Sequence, residues 1–235
     1  MAIGPFNNVD DFVESFIQGM VHPSNDICLF AIIDLTCSTT NDETAGLAGI
    51  ALFSSTSPSN RCSEIGYIVF PQFQRTHVTT NAVGLMLQHA FDTKDGMGLR
   101  RVSWQTSSMN IASQRSAERM GFTKEGVLRW TGVYPGGKRK QKQGNGRELP
   151  PGDDENDLGR DTVVYSVCWD EWESGIKDRM TVLMGKGLKS RRSECWISSP
   201  SVDGKLRNCY KPKKEEEERR KSHYSHSTLL RSLSR

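Results

Sequence analysis

The chain has 235 residues, 35% apolar and 25% charged, enough for one large domain or a domain with a tail. Its net charge of +3 hides an asymmetry: residues 185–235 carry 14 Lys and Arg against 6 Asp and Glu, leaving 17 basic and 22 acidic side chains, a net of −5, on the first 184. No run approaches the ~18 apolar residues of a membrane span, and residues 1–8 lack the basic and apolar pattern of a secretory leader. The cysteines at 28, 37, 62, 168, 195 and 209 form no C-x-x-C pair, which points to reduced, mostly buried thiols in an intracellular protein rather than a disulfide or zinc framework.

The first expected element is a helix capped by Asn7 or Asn8, with Val9, Phe12, Val13, Phe16, Ile17 and Met20 at helical spacing and Gly19 and Pro23 closing it. Strands follow at 27–34 and 45–53, paired as a hairpin across a polar connection, and at 64–70, where Pro71 stops the run. A helix of about four turns is next, with Thr79, Thr80 and Asn81 as capping residues and Val83, Leu85, Met86, Leu87, Ala90 and Phe91 as its buried stripe. A strand at 101–106 leads to a shorter helix capped by Asn110 or Ser113 and ended by Gly121. A fifth strand covers 122–134. Residues 135–161, with glycine breaks, Pro150-Pro151, a KRKQK run and a DDEND run, read as a mobile excursion. A sixth strand at 162–168 and a helix at 170–184 complete a domain over 1–184, in the α/β or α+β class with a mixed, mostly antiparallel sheet. Residues 185–235 contain ten Ser and the block KPKKEEEERRK, and are expected to be a disordered basic tail.

The segment between the third strand and the helix after it is Pro71-Gln72-Phe73-Gln74-Arg75-Thr76-His77-Val78-Thr79-Thr80-Asn81. A strand–turn–helix of this kind aims main-chain N–H groups and a helix N-terminus at one point, which suits a pyrophosphate. Arg75 adds a charge, and Thr76, Thr79 and Thr80 add hydroxyls. Together with the later run N-I-A-S…A-E-R-M-G-F…E-G-V-L-R (110–129) and EIGYIVFP (64–71), the stretch QRTHVTTNA (74–82) resembles the GNAT superfamily of acetyl-CoA-dependent N-acetyltransferases. It is most similar to the RimJ/RimL-like branch, which acetylates N-terminal amines of ribosomal proteins. The resemblance covers about residues 5–184.

It implies direct attack of an amine on the thioester of acetyl-CoA, used as co-substrate with no metal. Ammonium groups have pKa values near ~10.4 for a lysine-like amine and ~8 for an α-amine, so a proton must leave, and a carboxylate at a strand edge can take it. Glu64 is the candidate general base. By position the pantetheine arm would pair with the backbone of Tyr67, Ile68 and Val69, and Gly66 would allow close approach or a bulge. The pyrophosphate would sit on the amides of Gln74, Arg75, Thr76, His77, Val78, Thr79 and Thr80. Asn110 would reach the cofactor arm, Ser113 is a cap or a cofactor contact, and Trp104 and Trp130 are candidates for an acceptor wall or the core.

The chain departs from the family pattern in three ways. His77 and Thr79 stand where the pattern Q/R-x-x-G-x-G/A has Gly and Gly or Ala, so His77 would either contact the phosphates or narrow the site. Ala117 stands where many relatives carry a Tyr that protonates the leaving thiolate; a thiol pKa near ~8.5 lets the thiolate leave without it. The family's first strand is expected to be missing. The acceptor, a peptide N-terminus or a small amine, stays open, with the acidic body mildly favouring cations. The alternative is a catalytically degenerate GNAT-fold binding protein acting through its basic tail. No membrane partner is expected, and nucleic acid would bind only nonspecifically through the tail. The expected location is the cytoplasm, with nuclear import open through the tail.

Overall fold

The computed structural model describes residues 6–36 and 46–194. Asn8 caps the first helix by accepting from the Asp11 N–H at 2.8 Å. The helix starts as α1 (Val9–Asp11) and runs on with widened turns over Phe12–Val21, where the His22 N–H reaches back to the Ile17 carbonyl. Strands β1 (Cys28–Ile33), β2 (Leu47–Ser57) and β3 (Cys62–Val69) follow. A single turn, Pro71–Phe73, leads into α2 (His77–Phe91). Then come β4 (Arg101–Ser107), α3 (Ile111–Arg119), β5 (Thr123–Tyr134) and β6 (Leu158–Cys168). The last helical stretch is α4 (Trp169–Glu171), a widened segment Trp172–Ile176, and α5 (Lys177–Glu194). The six strands form one mixed sheet in the order β1-β2-β3-β4-β6-β5, flanked by helices. No helix of the described residues is long and apolar enough to cross a membrane.

The chain divides into two compact units, one made of 6–29, Leu52–Gly66 and Leu85–Met180, the other of 30–36, 46–51, Tyr67–Gly84 and 181–194. In the first unit, β4 and β6 pair antiparallel from Arg101↔Cys168 to Ser107↔Thr162. That register puts Val102, Trp104, Val163, Tyr165 and Val167 on one buried face. Helix α3 lies over this face: the Trp104 indole N–H donates to Ser113 Oγ at 3.0 Å, and the Tyr165 hydroxyl to Glu118 at 3.0 Å. The opposite face carries Arg101, Ser103, Gln105 and Ser107 from β4 and Arg160, Thr162, Val164 and Ser166 from β6.

Several expectations shift. Helix α2 begins at His77, so Thr79, Thr80 and Asn81 are helical and the cap falls earlier: Thr76 Oγ1 accepts from the Val78 N–H at 3.3 Å. Strand β6 begins at Leu158, inside the expected excursion, and α5 continues past 184 to Glu194. The remainder of the expected tail, 195–235, lies outside the described residues. Cys28 is exposed and Cys62 and Cys168 are half-buried, so the described thiols are free but not buried; Cys37, Cys195 and Cys209 lie outside the described residues. Residues 135–157 are tied at several points, among them the Gly136 N–H on Asp157 Oδ1 and the Asn145 N–H on the Gly159 carbonyl.

A Cβ at Gly66 would meet the Leu52 side chain, Cγ at 3.4 Å, in ordinary contact, whereas in the second unit Gly49 has no such room. Gly49 has φ 156°, and a Cβ there would lie 2.1 Å from the Ile68 carbonyl oxygen. Gly49→Ala is therefore expected to cost on the order of 3 kcal/mol in urea unfolding, from backbone strain plus a clash that no flexible side chain can relieve. Gly126→Ala, where a Cβ meets nothing within 4 Å, should unfold close to wild type.

Candidate active site

Glu64 occupies the last rung of a short parallel ladder. Cys62, Ser63 and Glu64 pair with Arg101, Val102 and Ser103, and no rung follows at Ile65 or Gly66. Where the rungs stop a side chain takes over: Gln105 Nε2 donates to Glu64 Oε2 at 2.9 Å. Glu64 is half-buried. Burial pushes its carboxyl above the ordinary value, and the Arg160 guanidinium offsets part of the rise. A carboxylate with raised proton affinity, held by one neutral donor, suits proton acceptance near neutral pH.

Further along the same strand, the side chains of Tyr67 and Ile68 are half-buried and that of Val69 is buried. The bend that follows is built from its own polar groups. Gln74 Nε2 donates to the Val69 carbonyl at 3.1 Å, and Thr76 Oγ1 donates to the Phe73 carbonyl at 2.6 Å. Arg75 takes φ 60°, a left-handed conformation that costs energy for a residue with a Cβ. Side-chain exposure falls along the bend. Gln74 and Arg75 are exposed and Thr76 and Thr79 half-buried, whereas His77, Val78 and Thr80 are buried and reach solvent at most through their main chain. Helix geometry leaves the first N–H groups of α2 without i−4 carbonyl partners, as an anion site requires.

The imidazole of His77 does not block this bend. It turns inward, where its Nε2 lies 3.3 Å from Asp34 Oδ1, both groups being buried. Asp34 Oδ1 also accepts from the Thr36 N–H at 3.0 Å and the Thr36 hydroxyl at 2.7 Å. The position that carries glycine in the family pattern thus accommodates a side chain by burying it against an acid. The His77 Nδ1 is buried without a hydrogen-bond partner.

Asn110 caps α3, its Oδ1 accepting from the Ser113 N–H at 3.1 Å. The Ser113 hydroxyl is engaged by Trp104, which is fully buried edge-on to Phe122 at 5.2 Å; Trp104 is core and no acceptor wall. Trp130 stays partly exposed, held at φ 53° where its N–H donates to Asp161 Oδ1 at 2.9 Å. Asp161 also accepts from Asn145 and Arg147, and these hydrogen bonds, that from the Trp130 N–H foremost, hold its carboxyl below the usual range. Ala117 is buried in α3. Tyr165, across from that helix, is no substitute acid, because burial and its bond to Glu118 push its hydroxyl up to about 12. No sequence motif singles out Gln105, Arg160 or Asp34, although the alternating polar residues at 101, 103, 105 and 107 are a period-2 signal that marks the first of them. A separate open cavity is lined by Phe91, Leu99, Trp169 and Trp172 with Arg61 and Arg100, and holds none of the residues above.

Residues 3–123 match the family model described as an acetyltransferase (GNAT) domain. The chain belongs to that family. A curated relative, an uncharacterized N-acetyltransferase YoaA of Bacillus subtilis (strain 168), is 32% identical over 87 residues, 37% of this chain and 48% of the relative. The match therefore spans about half the length of that relative. Among solved structures, a GCN5-related N-acetyltransferase from Brucella melitensis is 27% identical with a TM-score of 0.58, covering 77% of this chain and 67% of the other. A putative acetyltransferase from T. thermophilus is 26% identical with a TM-score of 0.54, covering 77% and 79%.

The buried pair beneath the bend gives a stability test. His77→Ala is expected to cost about 1–3 kcal/mol, since it leaves a buried carboxylate short of a partner. The cost of His77→Ala made together with Asp34→Asn should fall short of the sum of the single costs by at least ~0.5 kcal/mol in a urea double-mutant cycle.

Proposed function

We propose that the chain is an acetyl-CoA-dependent N-acetyltransferase of the RimJ/RimL-like kind, acting on a primary amine of a peptide N-terminus or a small molecule. The observation that carries this reading is the half-buried Glu64 at the last rung between β3 and β4, on the same strand that leads into the bend at 74–80. The bend fits a diphosphate: its bulky side chains turn inward, its outer side carries Gln74, Arg75, Thr76 and Thr79, and the first turn of α2 supplies N–H groups. Arg75 would neutralise phosphate charge, and the main chain of Tyr67, Ile68 and Val69 would align the pantetheine arm as an added strand. Bound acetyl-CoA supplies an acyl group activated as a thioester.

Glu64 then has one task. As the amine nitrogen bonds to the thioester carbonyl carbon, its proton passes to the Glu64 carboxylate, directly or through a water, and the C–S bond breaks to release the thiolate. A strand N–H would steady the oxyanion. The thiolate leaves without a tyrosine at position 117, since thiolates are good leaving groups near neutral pH. Asn110, while capping α3, would also contact the arm.

Incubation with labelled acetyl-CoA and a panel of amines and peptides is expected to label an amine acceptor. Glu64→Gln should lower kcat/KM by on the order of 10²–10⁴ with acetyl-CoA affinity preserved. Because the folded pKa of Glu64 is raised, the wild-type rate should fall on its acid side at a pH above the ~4.3 of an ordinary Glu, and the variant should lose that limb. An unchanged rate in Glu64→Gln rejects Glu64 as base. No saturable acetyl-CoA binding rejects the enzyme; binding without transfer to any acceptor favours the degenerate binding protein.

A further inference from the structure

The sheet face that carries Glu64 also carries a cation that forms no ion pair among the described residues. The register β3–β4–β6 sets Glu64, Gln105 and Arg160 on one face, opposite the face under α3. On β5, Tyr134 shares that face, because Tyr134 pairs with Leu158 and Gly132 with Arg160. The Arg160 guanidinium lies over the Tyr134 ring, 5.9 Å from its centroid. Its Nε is buried without a partner. Among the described residues Arg160 makes no ion pair, whereas Arg101 and Arg147, its neighbours in the same unit, are matched by Glu125 and Asp161. Its charge nevertheless reaches Glu64, where it acts against the effect of burial.

A half-buried guanidinium stacked on an aromatic ring and lacking an acid is preorganised for an anion. Its planar donors match a carboxylate, and the unspent donor adds to the cost of leaving it unmatched. The neighbouring base requires that whatever binds beside it present an amine.

Resting on the acetyl-transfer reading above, we propose that Arg160 is an acceptor-recognition residue, holding the carboxylate of a substrate whose primary amine is delivered to Glu64. The substrate class is an amine with a carboxylate a few bonds from its nitrogen: a free amino acid, or a peptide whose first residue is acidic. The body's net charge of −5 draws cations in general, but Arg160 reverses that preference at the base itself.

The experiment uses the full chain, saturating acetyl-CoA and acceptor pairs that differ in one carboxylate, with rates compared per unprotonated amine: an amino acid and its amide, and peptides beginning with Glu or Gln. Wild type is expected to favour the carboxylate member of at least one pair by tenfold or more in kcat/KM, and which pair responds separates free amino acids from peptides. On the alkaline plateau of the pH profile, where Glu64 is ionised with or without the Arg160 charge, Arg160→Gln should raise KM for that member more than tenfold, leaving the neutral member, the acetyl-CoA KM and the melting temperature near wild type; Arg160→Lys should restore part of the preference. Equal use of both members by wild type, or equal losses on both in Arg160→Gln, overturns the assignment of Arg160 while acetyl transfer stands. No transfer to any acceptor overturns both.

Discussion

A parallel strand pair cannot be closed by a tight turn, and that constraint organises the candidate site. β3 and β4 run parallel, so the chain must cross over between them, and α2 is the crossover. The helix therefore has to begin shortly after β3 ends, which sets a strand terminus and a helix N-terminus on either side of one bend. With only three rungs joining β3 to β4, Glu64 stands at the end of the ladder, and its carboxylate meets Gln105 where the next rung would fall. The candidate base and the candidate anion-binding bend are thus successive stretches of one segment, Glu64 to Thr80, and each is completed by a residue from elsewhere in the chain, Gln105 for the first and Asp34 for the second.

The bend shows how a departure from a family pattern can be absorbed. Glycine at position 77 would leave the main chain open by having no side chain; histidine leaves it open by burying one. That solution obliges the interior to supply a partner, and Asp34 does so at 3.3 Å. A buried acid would otherwise carry a large desolvation cost, and it is met here by the imidazole and by two donors from Thr36. Strain enters at Arg75 instead, whose left-handed backbone would suit glycine better. The exposed cation gained at that position is a physical reason for tolerating the strain.

Much of the architecture was legible in the residues because alternation and capping are local. The strands at 101–107 and 123–134, the Asn110 cap and the Gly121 terminus all rest on signals within a few positions. Gly121 takes φ 94° as the Phe122 N–H returns to the Ala117 carbonyl. The failures have non-local causes. Thr79, Thr80 and Asn81 are good caps by type, but Thr76 precedes them and closes on Phe73 first. Residues 158–161 read as loop because Gly159 and two charges break the alternation; pairing with β5 makes them strand, and the missing side chain at Gly159 leaves room for the Trp130 ring. Of the candidate site, Glu64 and the 74–80 bend could be picked out from sequence as candidates. Gln105, Asp34 and Arg160 could not, because each depends on a partner 41, 43 or 26 positions away.

The register of β4 against β6 is what keeps the two kinds of chemistry apart. On one face Val102, Trp104, Tyr165 and Val167 are sealed beneath α3; on the other, Gln105 and Arg160 share the surface with Glu64. A slip of one residue would exchange the faces, burying Arg160 and Gln105 and exposing Trp104. The β4–β6 ladder is unbroken over seven pairs, whereas the β5–β6 ladder is irregular at Lys124/Gly126 and Leu128/Gly132, both on the edge strand β5. Bulges are tolerated at an edge, where no further strand has to follow the shift. One of them swings the Trp130 N–H onto Asp161, so the irregular strand is pinned by a charge on the regular one. Variation can then collect on β5 and in residues 135–157 without moving Glu64, which is the division of labour expected where acceptors change and the acyl donor does not.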